Sequence, residues 1–227
     1  MWTKIISLLK RDDLYNQALR EAHAMLDMDW RMFEASLQSL RESETAEAQL
    51  DVTAADKEVN AIERDIRKKL LTHLAVSGGT TDLSAALNLV SVTYDIERIG
   101  DFTKGIYDLA RHHPGRLHGG SLEPRLAEVE AAVTRLFQNM IAAFKGADED
   151  QARAIMASYK QEIAVACDQI IIAIVSGQVT DLNSADAAAV ALYARFLKRI
   201  AAHSRNVVSS LVNPFPRLRY KEKPNED

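Results

Sequence analysis

Five carboxylates at helical spacing are the residues of this chain best suited to chemistry: Asp56 and Glu63 in one segment, Glu97, Asp101 and Asp108 in another. Asp56, Asn60 and Glu63 stand at i, i+4 and i+7, which on a helix places them on one stripe beside a seam of Val59, Ile62 and Ile66. Glu97, Asp101 and Asp108 form a second stripe, with Lys104 inside it, beside Ile96, Ile99 and Ile106. Two such stripes can face one groove. Like charges at i, i+4 cost about 0.2–0.5 kcal/mol in an isolated helix, so Glu97 with Asp101 calls for a compensating cation. Oxygen donors without Cys or His suit a hard metal ion, and facing helices of a bundle are a usual place to build such a site. The other reading is a solvated acidic face whose ion pairs come from Arg64, Lys68, Arg98 and Lys104.

The elements that must position these residues are helices. Apolar spacing near 3.6 recurs along the chain, while the period-2 alternation of strands is almost absent. Six principal helices are expected, over about 12–43, 46–77, 81–113, 122–145, 148–176 and 181–211. A short amphipathic helix over Trp2–Lys10 precedes them and reads either as packed on the body or as a small hook for a surface. Gly78-Gly79, Gly146 and Gly177 serve as stops, and Thr81 or Asp82 and Asp181 or Ser184 as starts. The inward face of the first helix reads Leu14, Ala18, Ala22, Met25, Met32, Phe33, Leu37 and Leu40. The Gly- and Pro-bearing stretch from His113 to Ser121 is the one clear linker. It divides the chain into a three-helix repeat over 1–113, a linker over 114–121, a second repeat over 122–212 and a mobile polar tail over 213–227. The fold class is therefore all-α, two tandem three-helix bundles.

Composition narrows the function. The chain has 227 residues, 47% apolar and 26% charged, with a formal net charge of −4. It lacks the basic stripe of a nucleic-acid binder. One cysteine, Cys167, excludes an intrachain disulfide and a thiolate metal cluster, and reads as a small core residue. No apolar run is long enough to span a bilayer and the N-terminus does not read as a signal peptide, so a cytoplasmic location is expected. No Gly-rich phosphate cradle, Ser/His/Asp set or Walker-type sequence is visible, and the chain is expected not to be an enzyme. His112, His113 and His118 offer a weaker transition-metal alternative within a linker of solvated composition, and Met25, Met28 and Met32 read as packing.

The stretch Asp95-Ile-Glu-Arg-Ile-Gly-Asp101 resembles the Asp-Leu-Glu-Arg-Ile-Gly-Asp motif of the PhoU family, and Asp56-Lys-Glu-Val-Asn60-Ala-Ile-Glu63 resembles that family's preceding-helix motif. The likeness of layout extends over about 12–211. It implies a pair of three-helix bundles and makes Asp56, Glu63, Glu97, Asp101 and Asp108 candidate ligands for magnesium, manganese, iron or zinc. It also implies a regulator of phosphate uptake and phosphate-starvation signalling. The implied partners are the ATPase of a phosphate transporter and a phosphate sensor histidine kinase, with membrane association through those partners and a homodimer left open. The second repeat departs from the pattern. The matching positions there read Lys198, Arg199, Ile200, Ala201 and Ala202, and Lys160 and Cys167 lie opposite Asp56 and Glu63. Gly105 stands where the family often has Asn. The reading from another class is a carboxylate-bridged metal store or enzyme of the ferritin kind, which would add a Glu-x-x-His pair that this sequence lacks.

Overall fold

A computed structural model describes residues 11–43, 50–77 and 83–222. Seven helical segments make up the body: α1 (Arg11–Arg41), α2 (Val52–Ser77), α3 (Leu83–His112), α4 (Glu123–Gly146), α5 (Glu149–Ser158), α6 (Val165–Val175) and α7 (Ser184–Val212). A π-helical turn, Tyr159–Ala164, joins α5 to α6, so they run as the single rod expected over 148–176. No strand occurs among the described residues. The all-α, two-bundle architecture is as the periodicity requires.

The starts and stops have local causes. Asp51 accepts the Ala54 amide at 2.9 Å, so α2 begins at Val52 rather than near Ala46. Asp148 caps α5 through the Gln151 amide, and Asn183, rather than Asp181 or Ser184, caps α7 through Asp186. Asp181 instead accepts from the Ser121 backbone and hydroxyl and pins the linker. Gly177, at φ 72°, supplies the left-handed turn that ends α6. The expected Trp2–Lys10 helix, the Gly78-Gly79 stop and the Thr81 or Asp82 cap lie outside the described residues.

α1, α2 and α3 pack together as one bundle, and α4, α5–α6 and α7 as the other. The halves are fused along α3 against α7, and more lightly along α1 against α4. Buried apolar side chains form one continuous core through both. Met25, Met32, Phe33 and Leu40 are fully buried on α1, Leu26 joins them, and Leu14 and Leu37 are only half-buried. Trp30 and Phe33 meet Phe137 edge-on at 5.4 and 5.5 Å between ring centres, across the α1–α4 contact.

A polar clamp lies beside those rings. Arg41, 8% exposed, pairs with Glu123 and, through Nε at 3.0 Å, with Glu130, and donates to the Leu117 carbonyl. Glu130 also accepts from the Tyr193 hydroxyl at 2.6 Å. One guanidinium thereby ties α1, the linker, α4 and α7, and its charge-assisted bonds satisfy groups that burial would otherwise penalise. The linker is held too: Leu117 is buried, and His113 bonds Asp186 at 2.8 Å. In the segment expected as a mobile tail, Phe215–Arg217 forms a 3-10 turn. Its neighbour Arg219 returns to the α3–α7 seam, and residues 223–227 lie outside the described residues.

Candidate functional site: an acidic groove in the first bundle

Asp56 and Glu63 on α2 face Glu97 and Asp101 on α3, as the two stripes require. Asp56 is 5% exposed and takes Lys104 Nζ at 3.0 Å, an ion pair that crosses from α3 to α2. Glu63, 6% exposed, pairs with Arg67 one turn along its own helix. Asp101 takes Arg98 at 2.7 Å, and the same guanidinium lies 3.4 Å from Glu97. Burial, then the neighbouring Asp101, pushes the Glu97 carboxyl up to about 7. Burial also raises Glu63, against the pull of Arg67, Arg98 and Arg64. Asp108 stands beyond Lys104, bears on that lysine, and is not among the acids that press on Glu97. The groove thus gathers four of the five predicted acids and leaves Asp108 at its margin.

A sixth acid belongs to it. Asp29 on α1 is fully buried, and neither of its carboxyl oxygens has a hydrogen-bond partner. Its carboxyl is raised well above the usual range, first by burial and then by Asp56, Glu97 and Asp101. The side chain fits because position 100 is glycine: a Cβ there would stand 2.7 Å from Asp29 Oδ1. Spacing contained the signal, since Asp29 lies four residues from both Met25 and Phe33 and so shares their inward face.

All the donors are oxygens, which suits a hard cation. Yet among the described residues no three His, Cys, Asp or Glu side chains converge at metal-binding geometry. Lys104, Arg67 and Arg98 pair with the carboxylates beside them, and of these acids only Asp29 has no cationic partner among the described residues.

The second bundle answers the same positions differently. Lys198 lies 2.6 Å from Asp168 on α6, so its ammonium stands in place of an acid. Cys167 is fully buried and burial pushes its thiol up to about 12, which makes it the core residue expected. Arg199 stacks over Phe102, and Phe196 lies over Gly105, whose added Cβ would come within 3.1 Å of the ring. Gly105→Asn is therefore expected to cost about 1–3 kcal/mol by overpacking the α3–α7 seam, read as a lower urea midpoint. An unchanged midpoint would mean that Phe196 yields without loss.

Two fused three-helix bundles, the first carrying an acidic groove between α1, α2 and α3, define the class: an all-helical two-bundle protein. Residues 22–110, which take in much of α1, all of α2 and nearly all of α3, match the PhoU domain model. The fold is similar to PhoU from Pseudomonas aeruginosa, with a TM-score of 0.76 and 20% identity over 89% of this chain and 97% of that one. It is also similar to the phosphate transport system regulatory protein PhoU from Streptococcus pneumoniae, with a TM-score of 0.67 and 19% identity over 90% and 94%. No curated protein matches the chain.

Proposed function

We propose that this chain regulates phosphate uptake and phosphate-starvation signalling, as a helical adaptor between a phosphate transporter and a sensor histidine kinase. The observation that carries this reading is the PhoU domain match over the three helices that build the groove. The likeness of fold to a phosphate transport system regulatory protein supports it. Long helices offer docking faces for the transporter ATPase and for the kinase. No described helix is long and apolar enough to cross a membrane, so an adaptor of this kind would reach the bilayer through its partners. Deleting the gene in its own host and following a phosphate-starvation reporter in high phosphate tests the reading. Derepression that the wild-type gene reverses supports it, and an unaltered reporter refutes it.

The buried, unpartnered carboxyl of Asp29 favours a second element of this reading, a cation in the groove. Asp56, Glu63, Glu97 and Asp101 would hold it, with Asp29 beneath, and Lys104 and Arg98 would have to give up their acids. A magnesium, manganese, iron or zinc ion there would supply positive charge and would link helix packing to metal supply. Metal analysis of untagged protein, before and after loading, is expected to find near-stoichiometric metal. Glu97→Ala with Asp101→Ala should abolish it, and Lys198→Ala should leave it. Metal retained in the double variant, or absent from loaded wild type, would reject the groove as a cation site.

A further inference from the structure

On the second bundle the end of α5, the π-helical turn Tyr159–Ala164, Arg205 of α7 and the returning C-terminal segment line an open cavity of about 490 Å³. That volume lies within the range of small-molecule sites and is several times what a bare phosphate ion fills. π-Turns persist at a cost in helix regularity and are frequent at functional sites. Here the turn places Tyr159 and Lys160 on the cavity wall.

The wall carries four cations, Arg153, Lys160, Arg205 and Lys221, of which only Arg153 has acidic partners among the described residues. Lys160 and Lys221 are exposed, and among the described residues neither side chain has an acidic partner. Arg205, on α7, stacks over the Tyr159 ring at 5.3 Å, and its buried Nε has no hydrogen-bond partner. Its terminal nitrogen donates to the Arg219 carbonyl at 2.9 Å rather than to a carboxylate. Among the described residues the one acid lining the cavity is Glu222, which takes Arg153 Nε at 2.9 Å, while Glu149 and Asp150 take the same guanidinium from its own helix. A carboxylate from the chain's own C-terminal segment thus already occupies one cationic position of the wall. Tyr220, 66% exposed, adds a second ring.

Cations that can fork onto phosphate oxygens, beside phenol rings that can stack on a flat ring, define a recognisable ligand chemistry. We propose that this cavity binds a phosphorylated ring compound of nucleotide size, with Lys160, Arg205 and Lys221 on the phosphate and Tyr159 and Tyr220 against the ring. Glu222 is the internal competitor that such a ligand displaces from Arg153. The inference stands on this cavity alone and does not depend on the acidic groove or on the regulatory role proposed above.

Calorimetric titration of the full chain with AMP, ATP and inorganic phosphate at low ionic strength tests it. AMP or ATP is expected to bind at one site per chain, with inorganic phosphate at least tenfold weaker. Lys160→Ala with Lys221→Ala should weaken nucleotide binding at least tenfold without moving the thermal midpoint, because both side chains are exposed and have no acidic partner among the described residues. Glu222→Gln should tighten binding severalfold. Absence of nucleotide binding at millimolar concentration, equal affinity for inorganic phosphate, or wild-type affinity in the lysine double variant would each overturn the proposal.

Discussion

Asp95→Ala is expected to destabilise the chain by roughly 3–5 kcal/mol, the cost typical of removing one partner from a buried charged network. Asp95 is 2% exposed and sits on α3 where that helix meets α7. It accepts from His203 Nδ1 at 2.7 Å, Asn206 Nδ2 at 3.0 Å and Arg219 Nε at 3.1 Å. His203 also stacks on Phe102 at 5.7 Å, and Arg219 lies over Tyr94 at 5.6 Å. One carboxylate therefore joins the first bundle, the second bundle and the C-terminal segment. Without it the buried His203 and the half-buried Asn206 lose their acceptor, and Arg219 loses one of the bonds that hold residues 213–222 in place. Urea unfolding should show the loss, and limited proteolysis should cut earlier near residue 219. Arg219→Ala should cost only about 1 kcal/mol, because that side chain is 44% exposed. A value for Asp95→Ala within about 0.5 kcal/mol of wild type would show that the network contributes little net stability.

Asp95 also shows where a linear reading stops. The residue is part of the motif that resembles PhoU, and its place on α3 follows from spacing alone. Its partners stand 108, 111 and 124 residues away, and no periodicity within one helix reports on them. The helices were legible because apolar residues recur at 3.6 and glycines punctuate them. The acidic groove was legible for the same reason, since one stripe on each of two adjacent helices must meet when their seams meet. Asp29 was not read from spacing because an acid inside an apolar seam is counted as a gap in the pattern rather than as a member of it. The glycine that admits it lies on another helix. The π-turn had no visible sign, because Tyr159–Ala164 keeps the helical pattern of its neighbours. Arg41 was equally hidden: a basic residue at a helix end ordinarily faces water and the helix dipole, whereas here Glu123 and Glu130 of the other half bury it.

Asp29→Ala should raise the stability of the metal-free chain at neutral pH by about 1–3 kcal/mol, because it removes a buried carboxyl with no partner at the expense of a small cavity. The pH dependence has a definite sign. Burial and the acids around it raise the folded-state value of Asp29 far above 3.8, and Glu97 rises from 4.5 to about 7. Through these groups the folded chain binds more protons than the unfolded chain, so their contribution to stability falls as pH rises from about 4 towards 7. That decline should be shallower in Asp29→Ala, while Glu97 still contributes its share up to about pH 7. Gly100 supplies an independent check. Replacing a mid-helix glycine with alanine ordinarily gains about 0.5–1 kcal/mol, but in wild type the new methyl would strike Asp29 Oδ1 at 2.7 Å. Gly100→Ala should therefore destabilise wild type and stabilise Asp29→Ala, a coupling of at least about 1 kcal/mol in a double-mutant cycle. Additive effects would mean that Asp29 and Gly100 do not touch. The same Asp29→Ala change should weaken any divalent cation held in the groove. Stability gained together with metal affinity lost would identify Asp29 as a residue retained for binding at a cost to the fold.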